Sequence, residues 1–148
     1  MSQGLIVVLV SLVGIGVAAQ AAMNAQLGTA LQAPIGGALW NFTLGTIVLG
    51  LLLLLGIFNR PAPSGLLSAP WWAYLGGILG AIFVTTTILA VPRVGTAVTL
   101  ASIICGQLIG AVLIDTFGWL GVKPIPLDPW RVAGVGMLIA GVVLVQHE

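Results

Sequence analysis

Five apolar runs, each long enough to cross a bilayer as a helix, occupy nearly the whole of this 148-residue sequence. A helix needs about 20 apolar residues to span roughly 30 Å of hydrocarbon. Once in lipid, its backbone N–H and C=O groups must be satisfied internally, which leaves little choice but helix. The sequence is therefore read as an all-α integral membrane protein. Residues 1–148 are expected to form a single membrane domain with five transmembrane helices, at approximately 4–31, 35–58, 70–90, 96–119 and 129–146. With 59% hydrophobic residues, four basic and three acidic side chains, it has too little charge to solvate a soluble domain. A net charge of +1 offers no basic surface for nucleic acid. No cluster of His, Cys, Asp and Glu points to a metal or another cofactor, and Cys105 reads as a small packing residue. No Ser-His-Asp or paired-carboxylate constellation suggests an enzyme, and His147 reads as a tail residue.

Local signals bound the runs. No Lys or Arg precedes the first, so it lacks the basic region of a secretory signal and reads as a retained span. Asn59-Arg60-Pro61-Ala62-Pro63 stops the second, and a loop is expected to follow. Pro70 with Trp71, Trp72 and Tyr74 opens the third at headgroup level, and Pro92-Arg93 closes it. Asp128, Pro129 and Trp130 suit the cap, first residue and interface anchor of the fifth. An odd number of crossings puts the two ends on opposite faces. One face carries Arg60, Lys123 and Arg131, the other Arg93. Three against one is a weak positive-inside bias, which permits either one orientation or two.

Polar groups inside the runs carry the functional signal, because lipid tolerates none unpaired. Gln20 and Asn24 share a face with Gly16 and Gly28, and Asn41 shares one with Gly37 and Gly45. Gln107 falls in a stripe with Thr96, Thr99, Gly106 and Gly110. Hydroxyls readily bond their own helix backbone. The carboxamides Gln20, Asn24, Asn41 and Gln107 exceed what packing requires, and they are expected to contact a solute, with Trp40 walling the cavity. Asp115 is the one acid in or beside an apolar run; it is read either as a proton-coupling group or as a solvated helix-end acid. Gly45, Gly76, Gly80, Gly106 and Gly110 lie in small-residue stripes that let helices approach and slide.

Gln20-x-x-x-Asn24, Asn41-x-x-x-Gly45, Trp71-Trp72 with Gly76-Gly77-x-x-Gly80 and Phe83-Val84, Val94-Gly95-x-Ala97-x-Thr99, Gln107-Leu108-Ile109-Gly110 and Asp115-x-Phe117-Gly118 occur in this order. Together they resemble the YdcZ-type inner-membrane exporters of the drug/metabolite transporter superfamily. The resemblance implies a multi-pass protein of the bacterial inner membrane. It also implies half of an antiparallel ten-helix dimer, formed with a second copy (dual topology) or an oppositely oriented paralogue. That family is distantly similar to the small multidrug resistance transporters, whose first span carries a glutamate. This sequence has no acid there, so that proton-coupling mechanism does not carry over, and Asp115 is left as the acidic option. The expected function is secondary export of a small polar or cationic solute by alternating access in the antiparallel dimer. The alternative is a non-transporting membrane module that assembles with a partner membrane protein.

Overall fold

The computed structural model describes residues 2–57 and 62–146. The stop signal at Asn59-Arg60-Pro61, the expected helix end at 58 and the tail residue His147 lie outside the described residues. Among the described residues every regular element is helical: α1 (Gln3–Ala30), α2 (Pro34–Leu54), a short α3 (Pro63–Ser68), α4 (Leu75–Val94), α5 (Thr96–Phe117) and α6 (Pro129–Gln146). Five of these are long and apolar enough to span a membrane. At 1.5 Å per residue, α6 is about 27 Å long and α1 about 42 Å. The chain divides into two compact units, one through Arg93 and one from Val94.

In the first unit α1 begins at Ser2, whose hydroxyl accepts from the Leu5 N–H. It ends in a Schellman turn: the Gln32 N–H donates to the Thr29 carbonyl at 3.0 Å and the Ala33 N–H to the Gly28 carbonyl at 3.1 Å. Gln32 takes the left-handed place that glycine usually fills, with φ 51°. Pro34 then starts α2, where a missing N–H costs nothing. The buried stripe of α1 is small: Ala21, Asn24, Ala25 and Gly28, at the i, i+3, i+4, i+7 spacing of one helix face.

Three boundaries differ from the sequence expectation, each for a local reason. α2 stops at Leu54 because Gly56, at φ 69°, closes a second Schellman turn in which the Ile57 N–H reaches the Leu52 carbonyl. α4 follows a 3-10 turn at Trp71–Tyr74 and runs through Pro92 to Val94. A proline this near the end removes a single helical N–H, and the Arg93 guanidinium donates to the Leu89 carbonyl at 2.7 Å. α5 ends at Phe117 because Gly118 is left-handed. Where a loop was expected after the second span, Pro63–Ser68 forms a short helix.

In the second unit α5 and α6 are antiparallel and tied at both ends. Arg131 Nη1 lies 3.3 Å from Asp115 Oδ2 at one end, and Gln146 Nε2 donates to Ser102 Oγ at 3.4 Å at the other. The proline-bearing connection folds back onto α5, its Ile125 N–H donating to the Asp115 carbonyl at 2.8 Å. That bond satisfies one of the carbonyls a helix end leaves orphaned. Asp128 caps α6, accepting from the Trp130 N–H.

Candidate functional site

The site grows from the place where α1 and α2 touch. A methyl group on Gly37 would lie 3.0 Å from both Cα and N of Gly28, and one on Gly28 would collide with the Ile88 side chain of α4. Two glycines thus let three helices meet at one level. One turn farther from the Leu31–Ala33 turn is Asn24 on α1, buried, and Asn41 on α2. A second turn brings Gln20 and Gly45, and here the helices leave room, because a methyl on Gly45 would meet no atom within 4 Å. The resulting cavity, about 280 Å³, is lined by Gln20 of α1, by Asn41, Phe42, Gly45, Thr46 and Leu49 of α2, and by Val84 of α4. Gln20 lies ten residues, about 15 Å, before the end of α1, so the cavity sits deep in the span.

Hydrogen bonding distinguishes two kinds of polar group here. The hydroxyls are consumed locally: Thr46 donates to the Phe42 carbonyl at 2.8 Å, Thr87 to Phe83 at 2.8 Å and Thr99 to Gly95 at 2.7 Å. Thr29, Thr43 and Thr116 do the same. The Asn41 amide is different. Its Nδ2 is buried and has no hydrogen-bond partner among the described residues. Leaving such a donor unmade costs about 1–3 kcal/mol.

The structure brings two of the four expected carboxamides, Gln20 and Asn41, to one cavity. Asn24 is packed beside it in the α1 stripe and does not line it. Gln107 is exposed on α5, in the other unit. Trp40 is 55% exposed, and Phe42, Leu49 and Val84 form the cavity wall. Of the glycines expected at helix contacts, Gly80 faces the Phe42 ring, which a methyl on it would approach to 3.4 Å, whereas a methyl on Gly76, Gly106 or Gly110 would meet no atom of the described residues within 4 Å. Asp115 lines a separate cavity of about 230 Å³ with Arg131, Leu108, Ala111, Val112 and Gly134. Sequence reading missed Arg131 as its partner. The signal was present: an acid closing one span and a base opening the next face each other across an antiparallel pair. Phe42 and Val84 were missed because their place depends on helix register.

Against known proteins, residues 5–144 match the family described as "Putative inner membrane exporter, YdcZ". The chain belongs to this family. A YdcZ relative, the inner membrane protein YdcZ of Escherichia coli (strain K12), is 35% identical over 81 residues, 55% of this chain. The match spans about half of that relative's length, 54%. No solved structure matches the chain. Membership of the YdcZ family, with five helices of spanning length, makes this a multi-pass protein of the inner membrane in contact with the lipid bilayer.

Proposed function

We propose that the chain is a secondary transporter that exports a small polar solute, with Gln20 and Asn41 holding that solute between α1, α2 and α4. The observation that carries this reading is the buried, unpartnered Asn41 Nδ2 at the edge of a cavity deep in the span. A packing amide would be expected to find a partner, as the threonine hydroxyls do. The exporter family supports the direction of transport. The five spans act as a single membrane domain, and two oppositely oriented copies, or a copy and a paralogue, form the working unit. Alternating access is then an exchange of two symmetry-related states. Asp115, the acid within a spanning helix, is the proton-exchanging group.

The test is flux in proteoliposomes over a panel of small amines, amides and polyols at two pH values. Gln20→Leu and Asn41→Leu are each expected to lower flux at least tenfold while the protein stays helical. Unchanged flux in both removes the site. Flux through Asp115→Asn that keeps its pH dependence removes Asp115 from coupling.

A further inference from the structure

We infer that the cavity between α1, α2 and α4 takes an uncharged solute bearing a hydrogen-bond acceptor, and rejects cations. The inference rests on the reading of this cavity as the solute site. Residues 1–93 contain no Asp or Glu at all. A cation entering the cavity would leave water for a low-dielectric space with no carboxylate from this unit to neutralise it, which is unfavourable. The unsatisfied group at Asn41 is a buried N–H donor, the wrong hydrogen-bonding group for an ammonium or amidinium. Donor against donor is repulsive.

An aromatic cage is the other way to hold a cation. The cavity lining holds one aromatic residue, Phe42, and its ring edge is packed toward Gly80. An anion fares no better. Arg93, the described basic residue of this unit, lies at the end of α4 and lines a different cleft with Thr29 and Gln32. What fits is a neutral molecule whose carbonyl, ether or hydroxyl oxygen accepts from Asn41. Gln20 can donate or accept, and Leu49 and Val84 cover an apolar remainder. At about 280 Å³ the space lies at the small end of ligand pockets.

Near-isosteric pairs, each a neutral molecule and its cationic counterpart, test this directly. The full chain is placed in nanodiscs of zwitterionic lipid. Binding is then measured by ligand-observed NMR for acetamide against acetamidinium, benzamide against benzamidinium, and 3,3-dimethylbutan-1-ol against choline. The neutral member of at least one pair is expected to bind at least tenfold more tightly than its cation, and Asn41→Leu is expected to remove that binding. Gln20→Glu, which supplies the missing carboxylate, is expected to reverse the preference. If no neutral member binds in an Asn41-dependent way, or if the cations bind as tightly, the inference is overturned. Cation binding that Asn41→Leu removes overturns the solute class and leaves the site standing. Neutral binding, combined with normal flux in Gln20→Leu and Asn41→Leu proteoliposomes, overturns the transport reading instead.

Discussion

The Asn41 side chain and its threonine neighbours answer the same constraint in opposite ways. A hydroxyl in a membrane helix can bond the carbonyl one turn back, and the threonines at 29, 43, 46, 87, 99 and 116 do so. A carboxamide presents two donors and an acceptor, and one turn of its own backbone cannot satisfy all of them. Asn41 Nδ2 is buried without a partner, so the resting protein carries a cost there. Replacing Asn41 by leucine, close to it in shape, is therefore expected to stabilise the protein by about 1–3 kcal/mol while removing solute binding. Thr87→Val and Thr99→Val are expected to change stability by less than about 1 kcal/mol, since each removes only a hydroxyl, and a helix carbonyl it bonds can still accept from the backbone N–H. Thermal unfolding in one detergent, read beside solute binding, checks the contrast. An Asn41→Leu protein that melts lower than wild type would mean that the amide is a packing group after all. Polar residues of this kind were legible in the sequence because four carboxamides stood out against lipid-facing runs. Which two of them meet was not, since that depends on the register of α1 against α2.

At the level of elements, that register is set by glycine contacts and by the turn between the two helices. Gly28 and Gly37 face each other with almost no space to spare, but the two constraints differ in kind. A methyl on Gly28 meets the Ile88 side chain, whereas a methyl on Gly37 meets the backbone of α1. A side chain can be cut back and a backbone cannot. Gly37→Ala is thus expected to destabilise the first unit by about 1–3 kcal/mol, the usual range for overpacking, with no rescue by Ile88→Ala. Gly28→Ala should be relieved by Ile88→Ala, apart from the cost of the shortened side chain. Melting curves for the two single and two double variants decide this; equal rescue of both would show that the backbones are not in contact as described. The existence of α1, α2, α4, α5 and α6 was plain from hydropathy. Their ends were not, because hydropathy does not register Gly56 and Gly118 taking left-handed turns, or a proline at position 92 tolerated in a last turn. The short helix at Pro63–Ser68 lay in a stretch too short and too proline-rich to show a helical period.

For the whole molecule, the glycines that do not touch anything matter as much as those that do. Positions 76, 77, 106 and 110 hold small residues at helix-contact spacing, yet a methyl at any of them would meet no atom of the described residues within 4 Å. Close approach through such spacings is the usual way membrane helices associate, so these faces suit a second chain. The three-to-one distribution of basic residues then bears on how that chain is oriented. Arg93 alone opposes Arg60, Lys123 and Arg131, and Arg131 is engaged with Asp115 rather than free to anchor a loop. A bias this small is the condition under which one sequence inserts both ways. In a Cys105→Ser background, a cysteine at exposed position 64, in α3, is expected to react with a membrane-impermeant maleimide in about half of the molecules in intact cells, and in all of them after lysis. Labelling of none or of all before lysis would fix a single orientation and leave an oppositely oriented paralogue as the partner. Gly106→Ala with Gly110→Ala should lower the dimer fraction in detergent without lowering the melting temperature, because a methyl at either position meets no atom of the described residues within 4 Å. A fall in melting temperature at unchanged dimer fraction would place those glycines at an internal contact and remove them from the interface between copies.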